Sequence, residues 1–387
     1  MLQLIEFFQK HDYQITFVCT ASLSDKSFRL EQLNIQTSNI RLNDSSFDDL
    51  IQQINPNIVL FDRFLTEEQF GWRVAENCPN ALRILDTEDL HFLRNARHQA
   101  FKEEKEVSLK YLINDMAKRA LASIYRCDIS LIISKYELEL LTTTFKVDAS
   151  ILMYLPFLLE SINQNKFNSY PSFEVRKNFM TIGNFKHEPN WNAVQYLKST
   201  IWPLIRKELP KAELHIYGAY ATDKVSQLNN KKEGFIIKGW AEDAKKVFKN
   251  YRICLAPLQF GAGLKGKLID AMLFGTPSVT TKIGAEAMRG NLPWNGFITD
   301  DYRVFAKKSV ELYQNESLWL KSQEKGAKII NQCYSKEEHG NLLFKSINTV
   351  QKNIAEHRLQ NFTGQMLQHH SLQSTKYLSK WIEEKNK

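Results

Sequence analysis

The stretch that most constrains this chain runs from Ile253 to Glu286 and reads ICLAPLQFGAGLKGKLIDAMLFGTPSVTTKIGAE. An apolar run, Ile253 to Leu258, stops at a loop carrying Gly261, Gly263 and Gly266. Lys265 and Lys267 accompany the last of these glycines, and a short amphipathic run then ends at Gly275 and Pro277. The pattern predicts strand, glycine loop, helix, turn and strand. Glycines let the backbone approach a ligand closely, and a helix start offers unpaired N–H groups. With two lysines added, the local chemistry suits a phosphate or diphosphate.

Two phosphate motifs compete for the loop. Gly261 to Lys267 fits G-x-x-x-x-G-K, but Leu268 stands where a P-loop places its magnesium-binding hydroxyl, which excludes that motif. Gly261, Gly263 and Gly266 also fit G-x-G-x-x-G, with Glu286 about where a ribose-binding acid would lie. The helix between them is only about two turns long, and the motif comes late in its domain. A dinucleotide site therefore stays open, as does a tight βα turn with solvated lysines.

The segment Asp270-Ala271-Met272-Leu273-Phe274-Gly275-Thr276-Pro277-Ser278-Val279 resembles the "E-A-M-x-x-G-T-P-V-V" helix in the donor-binding half of GT-B fold glycosyltransferases, family 4 in particular. Ile182 to Asn190 resembles the first βα loop of that half, and Ile283-Gly284-Ala285-Glu286 a later turn of it. The resemblance is close over residues 179–330 and looser before them. It implies an α/β chain of two Rossmann-like domains whose parallel sheets face a cleft. Residues 1–165 would form the acceptor domain and 178–340 the nucleotide-sugar donor domain, with 341–387 a helical tail returning toward the first. The polar stretch Glu160 to Lys177 reads as the linker between them.

The same resemblance assigns roles. Gly183, Lys186, Gly261, Gly263, Gly266, Lys267, Gly284 and Glu286 would bind the donor, and Lys265 and Asp270 would act in catalysis. Lys186 stands near a usual arginine, and Asp270 replaces the usual glutamate. The first acid of the family's E-x-x-x-x-x-x-x-E pair falls on Ala262. A carboxylate can accept two hydroxyls, so aspartate serves chemically. Asp270 also suits a first helical turn, beside Lys267, with no ligand at all.

Length and composition agree with two α/β domains, since 387 residues allow two ordinary cores. Five scattered cysteines without C-x-x-C spacing indicate neither a disulfide framework nor a zinc site, which points to a reducing cytoplasm. No apolar run reaches membrane-spanning length, and the amino terminus lacks a basic-then-apolar signal layout. A formal charge of +8 attracts phosphates, acidic glycans and anionic membrane surfaces alike.

The first half opens on helical spacing, Met1 to Lys10, before a strand at Gln14 to Thr20. Parallel α/β domains normally begin with a strand, so the first strand is read as missing, through a truncation or a start internal to the natural frame. Further strands are expected at Asn57 to Phe61, Ala81 to Asp86, Ile129 to Ser134 and Ile151 to Pro156. Helices are expected at Thr66 to Glu76 and Leu90 to Arg126. Ligands of such sheets sit at the carboxyl ends of strands. Asp86, Asp89, His91 and Arg94 qualify there; the first two and Arg94 are read as acceptor-side and His91 as catalytic, because imidazole exchanges protons near neutral pH. Helix capping by the aspartates, an ordinary helix-start role for His91 and an ion pair for Arg94 are the structural alternatives.

In the donor domain, strands are expected at Phe179 to Ile182, Glu213 to Tyr217, Phe235 to Lys238, Ile253 to Leu258, Ser278 to Thr281 and Gly296 to Thr299. The implied function is glycosyl transfer from a nucleotide sugar to a glycan, lipid-linked or other acceptor. Anomeric configuration would be retained, with no cofactor, no metal and no nucleic acid partner. Such chains often work at the inner membrane face, so peripheral membrane contact is part of the expectation. The rivals are a catalytically silent sugar-nucleotide-binding or scaffold protein and, behind it, a GT-B-type nucleotide-sugar epimerase.

Overall fold

The apolar run expected to be a buried strand is one: Tyr251 to Ala256 forms the middle of a parallel sheet, with Ile253, Cys254, Leu255 and Ala256 fully buried. A strand covered on both faces reads as continuous apolar sequence rather than alternation. The computed structural model describes residues 1–22 and 27–386. Its contacts divide the chain into two units. One comprises Met1–Leu90, Asp115–Leu158 and Glu338–Lys387; the other comprises His91–Asn114 and Leu159–Glu337.

In the first unit, helix Leu2–Lys10 precedes β1 (Thr16–Cys19). The helix buries Leu4, Ile5 and Phe7, whereas Leu2 is exposed. β1 pairs in parallel with β2 (Gln36–Asn39). A second parallel sheet runs β3 (Ile58–Asp62), β4 (Leu82–Asp86), β5 (Ile129–Ile132) and β6 (Leu152–Tyr154), in that order. The stretch expected as one helix from Leu90 to Arg126 is three: His91–Lys102, Leu109–Leu112 and Asp115–Arg126. The break falls at the charged run from Glu103 to Glu106, where Glu104 adopts a positive φ of 54°.

Carboxylates and guanidinium groups hold this unit together from inside. Arg126 Nε donates to Glu67 Oε1 at 2.9 Å, with both side chains almost wholly buried. Arg73, 1 % exposed, bonds Asp48 and Glu383, and its Nη2 reaches Ser379 at 3.1 Å. Arg358 clasps both oxygens of Asp128, at 2.8 Å each. The last two clusters fasten the carboxyl-terminal helices Ile354–Gln360 and Phe362–Lys385 to this unit.

The second unit is one six-stranded sheet, parallel throughout: β7 (Lys177–Ile182), β8 (Leu214–Tyr217), β9 (Phe235–Gly239), β10 (Tyr251–Ala256), β11 (Ser278–Thr280) and β12 (Gly296–Ile298). The spatial order is β12-β11-β10-β7-β8-β9. The chain winds outward from β7 to β9 and then returns to the other side of β7 with β10, so the direction of winding reverses between these neighbours. Open parallel sheets bind ligands at this switch point, outside the carboxyl ends of the strands. The core on one face gathers Phe179, Trp202, Ile205, Phe235, Leu255 and Trp319.

Glu160 to Lys177, expected as a linker, is bound into the second unit. Phe173 joins its core, Ile162 N donates to Asn331 Oδ1 at 2.7 Å, and Arg176 is fully buried. Helix Tyr302–Gln314 starts at Asp301, whose Oδ1 accepts from Arg303 N and Val304 N at 2.9 and 2.8 Å. Asp301→Ala is expected to lower stability by about 1 kcal/mol, read as a lower urea midpoint with unchanged slope. Among the described residues no helix is long and apolar enough to cross a membrane.

Candidate functional site

β10 ends at Ala256, and the chain then makes the glycine loop before helix Gly266–Leu273 begins. Gly261 and Gly263 hold φ values of +155° and +63°, which side chains other than glycine rarely adopt. Lys265 is the N-cap residue, 8 % exposed, and its Nζ donates back to Gly263 O at 2.6 Å and Ala262 O at 3.3 Å. Gly266 opens the helix with space around its Cα, since a Cβ there would meet no atom within 4 Å. Leu268 N and Ile269 N donate to Lys265 O at 2.8 and 3.2 Å, while the N–H groups of the first helical residues have no partner within the helix.

Lys267 Nζ donates to Asn190 Oδ1 at 2.7 Å, and burial pushes its ammonium down to about 8. Burial also pushes the Asp270 carboxyl up to about 6, with Lys245 opposing the shift. Desolvation disfavours the charged form of each. For Asp270 the sign follows: a carboxyl raised on folding weakens the fold as pH climbs from about 4 to about 6, and the full cost is present above that. Asp270→Asn is expected to raise stability at pH 8 by about 2 kcal/mol and to leave it unchanged near pH 4. Denaturant melts at the two pH values measure this.

The other residues singled out from sequence are placed as follows. Gly183 and Gly284 are glycines for lack of space: a Cβ at Gly183 would lie 2.6 Å from Asn190 Cγ, and one at Gly284 only 2.0 Å from Thr280 Oγ1. Glu286 is held by Arg97, whose Nη1 and Nη2 meet its two oxygens at 2.8 and 2.7 Å. Arg97 Nη1 also donates to Gly261 O at 2.7 Å, so one buried guanidinium ties the glycine loop to the turn after β11. Lys186 is exposed, with its Nζ 4.3 Å from the centre of the Tyr220 ring.

His91 and Arg94 stand on helix His91–Lys102, which groups with the second unit through Arg97 and through His98, stacked on Phe260 at 4.5 Å. Asp86 and Asp89 belong to the first unit. Asp86 closes β4, accepts from Glu88 N at 3.2 Å, and has its carboxyl pushed up by burial. Among the described residues no group of three or more His, Cys, Asp or Glu side chains is arranged to hold a metal ion.

Sequence reasoning passed over Asn190, Arg97, Tyr220 and Trp240. Tyr220 and Trp240 are exposed aromatics that follow β8 and β9 at their carboxyl ends, where the strand-end rule could have found them. Arg97 carries no such signal, because its partner lies 189 residues away.

Residues 176–315 match the family described as glycosyl transferases group 1. No curated protein matches the sequence. A glycosyltransferase from Rickettsia africae ESF-5 superposes with a TM-score of 0.65 at 13 % identity, covering 91 % of this chain and 94 % of that one. Anabaena HepE, crystallised with UDP and glucose, gives 0.66 at 10 % identity, covering 90 % and 95 %. An S. aureus TarM variant, in complex with Fondaparinux, alpha-GlcNAc-glycerol and UDP, gives 0.60 at 14 % identity over 78 % of this chain. The chain spans under two thirds of the TarM structures, 58 % and 57 % of their lengths.

Proposed function

We propose, for a chain with a GT-B fold whose residues 176–315 match the family of glycosyl transferases group 1, that it moves a glycosyl unit from a nucleotide sugar to an acceptor, retaining anomeric configuration and needing no metal or other cofactor. The observation that carries this reading is the cradle beside the switch point. Within the family-matched domain, a glycine loop, two lysines and a helix start follow the carboxyl end of β10. Preorganised donors of this kind stabilise the charge that develops on a departing diphosphate.

Lys265, Lys267 and the first helical amides would oppose the diphosphate, and Asp270 would accept hydroxyl hydrogens of the donor. His91 would hydrogen-bond the transferred sugar; Asp86, Asp89 and Arg94 are assigned to the acceptor side. Gly261, Gly263, Gly266, Gly284 and Gly183 shape the donor loops, with Lys186 and Glu286 at their edges. The acceptor is a glycan or a lipid-linked sugar. All five cysteines are free and the charge is +8, which supports a cytoplasmic chain in peripheral contact with an anionic membrane.

A thermal-shift panel of UDP, GDP, CMP and their sugars tests the donor reading, since a ligand that binds the folded state raises its apparent stability. One nucleoside diphosphate and its sugar are expected to stabilise the chain; no response to any would overturn the reading. A chelator such as EDTA is expected to leave transfer unchanged, because lysines supply the counter-charge. Loss of transfer on chelation would overturn metal independence.

A further inference from the structure

The side chain of Asn190 joins two loops of the second unit. Its Nδ2 donates to Asn184 O at 3.1 Å, in the loop after β7, while its Oδ1 accepts from Lys267 Nζ at 2.7 Å, in the first turn after β10. β7 and β10 are the paired neighbours on either side of the switch point. Gly183 leaves the space the carboxamide occupies, since a Cβ there would lie 2.6 to 3.0 Å from its Cγ, Nδ2 and Oδ1. Asn190 N donates to His187 O at 2.9 Å, which fixes the residue in the first turn of helix Glu188–Tyr196.

The choice of acceptor matters. A carboxylate at this place would aim the ammonium equally well, but it would also cancel its charge. An amide oxygen directs Lys267 and leaves its charge available, and among the described residues no carboxylate pairs with Lys267. We propose that Asn190 is a positioning residue for donor binding: it aims the Lys267 ammonium across the switch point and keeps it uncompensated until the donor diphosphate arrives. The proposal rests on the donor reading given above. On it, Gly183 serves the donor by making room for Asn190.

The groups facing Lys267 are few. Cys254 on β10 is a thiol that burial pushes up to about 12, so it stays neutral. Asp270 follows on the same helix, pushed up to about 6, with Lys245 of helix Ala244–Asn250 acting on it. Lys265 turns its amine to its own loop carbonyls. Helix Glu316–Cys333, packed on this one, presents Gln323 and Gly326, neither of which titrates. Lys267 itself lies low, at about 8, so its charge is lost at mildly alkaline pH.

The test is calorimetric titration of the full chain with UDP, and with GDP in parallel, from about pH 7.5 to about pH 9.5, where a terminal phosphate is fully ionised. Wild type, Asn190→Ala and Asn190→Asp are compared. Wild-type affinity is expected to fall as pH rises past about 8. In Asn190→Asp, close in size to the native residue, the falling limb should move up by about one unit while affinity at the low end drops about tenfold, the ammonium now being paired. In Asn190→Ala the limb should move down. Uniformly weaker binding with the limb unmoved in both variants would overturn the proposal and leave Asn190 a packing residue. A wild-type chain that binds neither nucleotide would overturn the donor reading itself, so the two failures are told apart by which arm fails.

Discussion

Lys267→Met is expected to weaken nucleoside diphosphate binding by roughly thirty- to a hundred-and-fiftyfold while leaving the fold as stable as before or slightly more so. The first half follows from losing one charge-assisted hydrogen bond to a phosphate, about 2–3 kcal/mol in a partly desolvated site. The second follows from burial, which already pushes the ammonium down to about 8, so the folded state bears a cost for holding it charged. Below that pH the cost is present in full; above it the lysine sheds its proton and the cost declines. Methionine keeps an apolar stem of similar length and removes the charge together with its hydrogen bond to Asn190 Oδ1. A residue whose removal leaves stability intact and destroys affinity is there for the ligand. If Lys267→Met unfolds the chain, or binds a nucleoside diphosphate as the wild type does, the cradle has been misread.

Arg176→Met is expected to cost about 4 kcal/mol or more of stability in the second unit, the largest loss foreseen for a residue outside the cradle. Arg176 is fully buried and, among the described residues, has no carboxylate partner. Its guanidinium is satisfied instead by Pro171 O at 3.1 Å, Phe248 O at 3.3 Å, Tyr251 O at 3.4 Å, Phe274 O at 2.8 Å and Thr276 Oγ1 at 2.7 Å. Burial pushes it down to about 10, still charged at neutral pH. One side chain thus ties the entry to β7, the start of β10 and the turn before β11, the frame on which the glycine loop is hung. Methionine fills the volume but takes the donor from Pro171 O and Phe274 O, each loss costing about 1–3 kcal/mol, and empties the rest of the buried polar pocket. Urea unfolding measures the loss. A drop below about 1 kcal/mol would mean that water or a relaxed backbone satisfies these carbonyls after all.

The strands that carry the candidate site were legible because they are buried on both faces. Tyr251–Ala256, Lys177–Ile182 and Leu214–Tyr217 read as apolar runs cut by Gly, Pro or charge, and the structure places strands there within two residues of expectation. β2 was not legible: Gln36, Thr37, Ser38 and Asn39 are polar and mostly exposed, so neither run nor alternation marks them. The apparent long helix after Leu90 failed for a different reason. Helical spacing survives a break when the intervening residues, Glu103 to Glu106, are themselves good helix formers.

The site was legible where it depends on backbone and composition. The glycine loop, the two lysines and Asp270 lie within ten residues, and a local pattern can report them. Side-chain partnerships across the sheet leave no such trace. Glu286 was assigned to the donor by resemblance; that Arg97 grips both its oxygens could not be read there, because only the folded chain brings that pair together. Gly183 was assigned to the donor by resemblance, and its close neighbour is the Asn190 amide. Arg176 sat unnoticed in a polar stretch, because a charged residue in such company gives no sign that its fate is burial.

The most direct test of the central claim is a crystal structure of the full chain grown with the nucleoside diphosphate that stabilises it. The account predicts both phosphates at the carboxyl end of β10, with the N–H groups of Gly266 and Lys267 and the Lys267 ammonium within hydrogen-bond reach. A nucleotide bound anywhere else on the second unit, or phosphates turned away from that helix start, would contradict it.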